Sequence, residues 1–166
     1  MDVLYHALSG VAIAKSMGSP DLLAAAAAAI APDIMGIIPF YSIKFIEATR
    51  IPGNTFAQTY AHLLRSNKFA GARDAIAYRS THAIFSAAFF SLCMFVLFPD
   101  QWLVLSISYI SHILIDIPTH EGDFATRILY PLSDVHIRGL NWSTNLKLFL
   151  FFWLMLAVIM FLLWQK

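Results

Sequence analysis

The run LFLFFWLMLAVIMFLLW, residues 148–164, holds no charged side chain and lies between Lys147 and Lys166. At about 1.5 Å of rise per residue, a helix of this length nearly crosses a hydrocarbon layer of about 30 Å. Trp142, Trp153 and Trp164 are candidate anchors at the two membrane interfaces. We therefore predict a C-terminal transmembrane helix over residues 146–165.

The composition of the whole chain also favours a membrane protein. Hydrophobic residues make up 59% of the 166 residues and charged residues only 13%, whereas a soluble domain has about 25% charged residues. The net charge of +1 gives no field that would attract nucleic acid. The lone cysteine, Cys93, lies in an apolar run and is expected to behave as a small hydrophobe. We predict one all-α integral membrane domain that embeds in a lipid bilayer and has no nucleic-acid partner.

Two pairs of apolar segments, each joined by a short turn, predict two helical hairpins over residues 1–40 and 82–117. In the first, the turn Gly18-Ser19-Pro20-Asp21 leads into a helix that opens with six alanines and is expected to break near Pro32. In the second, Pro99 and Asp100 separate two apolar runs. Runs of this length penetrate or cross the bilayer, or else form a buried core.

The segment between the hairpins, residues 41–81, is more polar. It has two acidic residues, Glu47 and Asp74, against six basic ones: Lys44, Arg50, Arg65, Lys68, Arg73 and Arg79. An excess of basic residues predicts that this connector faces the cytoplasm of a multi-pass inner-membrane protein. Aromatic and leucine residues recur within it at helical spacing, which predicts an amphipathic helix on the membrane surface: Phe56, Tyr60, Leu63 and Leu64. Residues 118–145 are predicted to form a loop.

Five ionisable side chains fall within or at the edge of the apolar segments: His6, Asp33, His82, His112 and Asp116. Ionisable groups at membrane depth are costly and usually functional. Folding the second hairpin about its turn places Asp116 level with His82. His112 shares the face of Asp116 because the two are four residues apart. Folding the first hairpin about Ser19 places His6 level with Asp33.

Small residues support close packing within the first hairpin. His6, Gly10, Ala14 and Gly18 lie on one helical stripe, and small residues at this spacing let helices approach closely. The alanine-rich helix is the natural partner for this surface.

Imidazole and carboxylate groups are the usual ligands of Zn²⁺ and other first-row divalent ions. A bound cation would also offset the cost of burying two carboxylates. The five side chains are therefore candidate ligands for a divalent ion, Zn²⁺ first and Mn²⁺ or Mg²⁺ as alternatives, which would support hydrolysis. His82 and His112 could instead be hydrogen-bonded core histidines, Asp33 a turn residue and His6 a surface group.

The other three histidines are less certain candidates for the site or are expected to be solvated. His120 follows Pro118 closely and is a candidate ligand or proton shuttle. His136 lies in the predicted loop and is a weaker candidate. His62 falls on the polar face of the amphipathic helix and is expected to be solvated.

Several short motifs occur in a characteristic order: LYHALSG at 4–10, APDI at 31–34, RSTHAIF at 79–85, SHILIDIPTHEG at 111–122 and LYPLS at 129–133. With them the chain resembles a family of bacterial inner-membrane proteins described as membrane-bound metal-dependent hydrolases, the DUF457 group. That family is in turn similar to zinc-dependent phospholipase C and P1-type nucleases. The resemblance implies that His6, Asp33, His82, His112 and Asp116 hold metal, with Arg79 and Thr119 in support. It also implies a phosphoester substrate in a lipid or other membrane molecule.

Two positions depart from the family pattern. Many members have a histidine where this chain has Tyr78, and a second aspartate where it has Met35. Both departures remove possible ligands, so a single-metal centre is favoured over a multi-metal one.

Three interpretations follow. The first is a membrane hydrolase in which His120 handles protons and Arg79 pairs with a substrate phosphate or a ligand carboxylate. The second is a non-catalytic membrane protein that uses the same groups for ion or metal passage, or for structural pairing. The third is a soluble or monotopic helical phosphoesterase, against which the C-terminal apolar run argues.

Overall fold

The computed structural model describes residues 1–51, 55–65 and 72–165, and the side chains of residues 63–65 and 72–74 lie outside that description. This part of the chain is helical and contains no strand, which confirms the predicted all-α class. Its α-helices are α1 (Val3–Ser16), α2 (Leu22–Arg50), α3 (Phe56–Arg65), α4 (Ala72–Thr81), α5 (Ile84–Leu97), α6 (Trp102–Thr119) and α7 (Leu146–Trp164). A 3-10 turn, Gly122–Phe124, follows α6.

Three of these helices, α2, α6 and α7, are long and apolar enough to cross a membrane. A fourth candidate span is formed if the end of α4 and α5 count as one segment, bent by 58° at the break between them. Apolar side chains on α5 and α7 point outward, among them Phe89 at 69% exposure and Leu154 at 66%. A contiguous apolar exterior of this kind suits lipid rather than water, as predicted for a membrane protein.

Helix α2 is longer than the sequence predicts. The expected break near Pro32 is wrong, because the helix continues to Arg50 with both Pro32 and Pro39 inside it. A proline removes one N–H and crowds the preceding turn of its helix. Here α2 packs against α1, α4 and α6, and this support on several sides keeps the helix continuous. Asp33 consequently lies in the middle of a helix and not at its end.

The predicted close packing of α1 on the alanine-rich part of α2 is confirmed. A Cβ atom on Gly10 would lie 2.8 Å from the Cβ of Ala29 and closer still to the carbonyl oxygen of Ala25. Ala14 is fully buried in a cluster that also contains Ala25, Ala28, Val104 and Leu105. Only glycine allows the two backbones to approach to this distance.

The amphipathic helix predicted in the connector corresponds to α3. The rings of Phe56 and Tyr60 stack 5.6 Å apart, and both contact Phe45 of α2. The side chains of Leu63, Leu64 and Arg65, together with Lys68, Arg73 and Asp74, lie outside the described part. The position of α3 on a membrane surface stays a prediction.

A short segment anchors the carboxyl end of α6. The backbone N–H groups of Gly139, Leu140 and Trp142 donate to the carbonyl oxygens of His120, Pro118 and Thr119 at 3.1, 2.9 and 3.2 Å. These bonds satisfy acceptors that a helix end leaves open. We call residues 139–143 the strap. A Cβ atom on Gly139 would meet the carbonyl oxygen of His120 at 2.5 Å, so the strap can lie this close only with glycine there.

Gly10→Ala tests the contact between α1 and α2. At an ordinary helical position, replacing glycine by alanine stabilises a protein by about 0.5–1 kcal/mol. At Gly10 the new methyl group overlaps the backbone of α2, and we expect the free energy of unfolding to fall by about 1–3 kcal/mol. Thermal unfolding of detergent-purified protein, followed by circular dichroism, measures the change. A variant more stable than the wild type would contradict the packing described here.

Candidate metal centre

Four side chains from separate parts of the chain meet in the interior. Asp33 comes from α2, His82 from the break between α4 and α5, and His112 and Asp116 from α6. One ligand atom from each lies within 4.8 Å of the others. His82 and His112 are fully buried, and Asp116 is 1% exposed. We call these four residues the metal cluster.

Backbone carbonyl groups fix the tautomers of both histidines. The Nδ1 atom of His82 lies 2.9 Å from the carbonyl oxygen of Tyr78, and that of His112 lies 2.7 Å from the carbonyl oxygen of Ala29. A carbonyl oxygen can only accept, so each Nδ1 carries a hydrogen and donates it. Each neutral ring then directs the lone pair of its Nε2 atom toward the other, with the two Nε2 atoms 3.2 Å apart.

The spacing of the four ligand atoms matches a tetrahedral ion. His112 Nε2 lies 3.2 Å from Asp116 Oδ2 and 3.5 Å from Asp33 Oδ1. His82 Nε2 lies 3.6 and 3.5 Å from the same two oxygens. Ligands bonded at about 2.0–2.1 Å to tetrahedral zinc are about 3.3–3.4 Å from one another. Five of the six separations in the metal cluster are therefore close to those that a zinc ion requires.

One buried oxygen of the cluster lacks a donor. Asp116 Oδ2 is enclosed, and no hydrogen-bond donor reaches it from the described residues. An ionised carboxylate oxygen buried without a partner is strongly unfavourable. A cation among the four ligand atoms would satisfy it and would also separate the two facing imidazole lone pairs. These residues thus fit a divalent metal ion.

The other oxygen of Asp116 is held by three nitrogen atoms. Asp116 Oδ1 accepts from the Met1 amino group at 2.7 Å and lies 3.0 Å from His6 Nε2 and 3.3 Å from His120 Nδ1. The Met1 amino group also donates to Thr119 Oγ1 at 3.2 Å. These contacts turn the carboxylate so that Oδ2 faces the metal cluster.

The structure therefore brings together all five predicted ligands, but in two layers. His6 lies outside the group of four and touches Asp116, the carboxylate of the other predicted hairpin, instead of Asp33. Its ring stacks on that of His112 with centroids 3.7 Å apart. The five residues therefore lie close together, but His6 faces Asp116 and not Asp33, with which the sequence spacing pairs it.

The remaining candidates fall at different distances from the cluster. His120 is adjacent to it, with its side chain 17% exposed. Arg79 is partly buried on α4 and is not among the described residues that line the cleft beside the cluster. His136 Nδ1 lies 2.9 Å from Arg127 in the segment after α6, and His62 is exposed on α3, as predicted.

The two departures from the family pattern have different structural consequences. Tyr78 stacks its ring on His82, with centroids 4.1 Å apart, so it supports a ligand where the family has a further imidazole. Met35 is 54% exposed. Residues two apart on a helix lie on different faces, so position 35 points away from the cluster that Asp33 joins.

A cleft of about 460 Å³ reaches the metal cluster. Asp33 and His120 line it, together with the start of α1, the α2 residues Gly36, Ile37, Phe40 and Tyr41, and the strap. Sequence reasoning missed the strap and the Met1 amino group. Gly139 was the only local signal for the strap, and nothing in the sequence pattern indicated that the amino group folds against Asp116.

Comparisons of the chain with protein-family models, with curated proteins and with solved structures found no match. The resemblance to metal-dependent membrane hydrolases therefore stays a prediction, and the candidate metal centre is supported by its own geometry.

Removing a ligand of the cluster should abolish metal binding. We expect His112→Ala and His82→Ala each to weaken Zn²⁺ binding by more than about 100-fold, since ligand loss exceeds the 10–100-fold cost of losing an outer-shell partner. Metal content after dialysis, measured by mass spectrometry on detergent-purified protein, gives the result. His62→Ala is the matched control, because His62 is exposed on α3. Equal metal content in all three variants would contradict the assignment.

The His6→Ala variant tests whether His6 orients Asp116 or binds the metal ion itself. Because His6 contacts Asp116 Oδ1 and not the cluster's interior, we expect Zn²⁺ affinity to fall by about 10–100-fold while one site per chain remains. Titration with a competing chelator measures this change. A loss as complete as that of His112→Ala would instead make His6 a ligand.

Proposed function

We propose that the chain is a membrane-bound hydrolase that depends on a divalent metal ion, Zn²⁺ first, and cleaves a phosphoester or other ester in a lipid or membrane-associated substrate. The observation that carries this proposal is a buried cluster of two imidazoles and two carboxylates with tetrahedral spacing beside a cleft. Asp33, His82, His112 and Asp116 would hold the ion. An ion that accepted a further oxygen ligand beyond these four side chains would act as a Lewis acid, polarising an ester or phosphoryl oxygen and promoting the ionisation of water.

The direction from which a substrate approaches follows from the burial of the four residues. Asp33 is the most exposed of them, at 13% of its side chain, and among the four it alone lines the cleft. His82, His112 and Asp116 close the opposite side. A substrate in the cleft therefore meets the cluster at Asp33.

His120 is placed to move a proton. It lines the cleft beside Asp33, and its Nδ1 atom lies 3.3 Å from Asp116 Oδ1. An imidazole that is partly exposed and oriented by a carboxylate can accept a proton from water or deliver one to a leaving group. We assign it the role of general acid or base.

Ion passage, the alternative function, finds less support. An apolar cluster that includes Ala14, Ala25, Val104 and Leu105 lies toward the turns at Gly18 and Pro99, although α6 also buries Ser106 and Ser108 next to it in sequence. A permeation path needs a continuous row of polar groups or water, and the apolar cluster gives less support to one.

Basic residues favour a cleft that opens toward the cytoplasm. Of the eleven Lys and Arg residues, all except Lys15 and Lys166 lie between residues 44 and 147. Lys15 is near the end of α1 that faces away from the cleft, where its Nζ atom lies 5.3 Å from the Trp164 ring centroid. Basic residues concentrate on the cytoplasmic side of inner-membrane proteins. We infer an inner-membrane location with the connector 41–81 on that side.

Hydrolysis is tested on zinc-loaded protein in mixed micelles with a panel of phosphoester and carboxylic-ester lipids. His120→Asn should lower kcat by about 10²–10⁴-fold in protein that metal analysis shows to be fully loaded, even where loss of the contact with Asp116 Oδ1 weakens zinc affinity. His136→Asn, a histidine away from the cleft, should retain full activity. Fully metal-loaded wild type without turnover of any ester would overturn the proposed function.

A further inference from the structure

The cleft is lined on one side by exposed apolar residues, and acidic residues are among its other lining residues. Val3 of α1 and Tyr41 of α2 line the cleft and are themselves 42% and 46% exposed. Tyr41 ends a stripe on α2 at helical spacing with Ile34 and Ile38, which are 44% and 60% exposed. This stripe lies on a helix apolar enough to cross a membrane. The cleft is therefore continuous with an apolar outer surface of α2.

Apart from the Met1 amino group, the charged groups that line the cleft in the described part of the chain are carboxylates. Its carboxylates are Asp2, Asp33 and Glu121, and no Lys or Arg of the described residues lines it. The Met1 amino group lies 2.7 Å from Asp116 Oδ1. Asp2 caps α1 through Tyr5 N at 2.9 Å and accepts from Trp153 at 3.2 Å. Glu121 is exposed and stands next to His120 in sequence.

We propose that the substrate is a bilayer lipid ester without net negative charge, zwitterionic or uncharged, that enters the cleft sideways past Val3 and Tyr41. This inference rests on the proposed function and names its substrate class. The acyl chains would remain against the apolar stripe of α2 while the ester reaches Asp33. Trp142 also lines the cleft and would contact the remainder of the lipid.

The charges at the cleft favour a lipid headgroup without net negative charge. A divalent ion balances the charges of Asp33 and Asp116. The Met1 amino group beside Asp116 then leaves one positive charge, which the single negative charge of a phosphodiester can balance. A second negative charge on the headgroup would face Glu121 with no described basic residue lining the cleft. A headgroup ammonium would instead pair with Glu121. Lys147 borders a separate, shallow depression beside Glu121 and makes no ion pair with it among the described residues.

Binding of non-hydrolysable lipids tests the headgroup. The probes are ether-linked phosphonate lipids with identical chains and either an ethanolamine or a glycerol headgroup, bound to zinc-loaded protein and measured by native mass spectrometry. We expect the ethanolamine lipid to bind about tenfold more tightly. Glu121→Lys should remove or reverse this preference, whereas Asp123→Lys, an exposed acidic residue outside the described cleft lining, should leave it unchanged. Equal or tighter binding of the glycerol lipid to the wild type would overturn the inference.

A bulky substitution tests the sideways entry. Val3→Trp should weaken binding of the ethanolamine lipid at least fivefold and leave binding of the chain-free phosphonate headgroup unchanged. Leu23→Trp, at a residue 85% exposed near the opposite end of α2, is the matched control and should change neither. Equal effects of both variants would overturn sideways entry. Failure of the proposed function is recognised separately, by metal-loaded protein that hydrolyses no ester.

Discussion

Two imidazole lone pairs and two carboxylates face one another in the interior of this protein, and much of the surrounding structure serves to hold them there. Like charges about 4 Å apart repel by roughly 4 kcal/mol at an effective dielectric constant of 20, and the burial of each group adds a desolvation cost. A proton on one imidazole ring could form a strong hydrogen bond to only one of the facing atoms. A divalent cation would satisfy all four, and its binding would then be coupled to folding stability.

Close contacts between the backbones of neighbouring segments hold these four side chains in place. Gly10 lets α1 contact α2, Gly139 lets the strap contact the end of α6, and a Cβ on Gly36 would meet Thr81 Oγ1 at 3.0 Å between α2 and α4. The carbonyl oxygens that fix the two imidazoles belong to Ala29 and Tyr78, so each histidine is oriented by the backbone of a helix. A ligand set fixed by backbone groups and tight helix contacts is already oriented before an ion arrives.

The sequence predicts where most helices lie along the chain better than it predicts how each helix is rotated. Apolar runs located α5, α6 and α7 within a few residues, and equal distances from the two turns placed the His and Asp residues at one level. Spacing along a helix does not say which neighbour a side chain faces, so His6 was paired with Asp33 although it lies against Asp116. The strap and the Met1 amino group depend on contacts between distant segments, which no local pattern encodes.

The most consequential difference concerns α2. A proline in a helix interior costs about 3 kcal/mol or more when nothing compensates, which is why the sequence suggests a break near Pro32. Packing by α1, α4 and α6 compensates that cost, and the helix continues past Asp33 by more than four turns. Those turns supply Gly36, Ile37, Phe40 and Tyr41, one whole wall of the cleft. Had α2 ended at Pro32, the metal cluster would have had no such wall. The tertiary contacts that override the local preference of proline therefore also create the cleft beside the metal cluster.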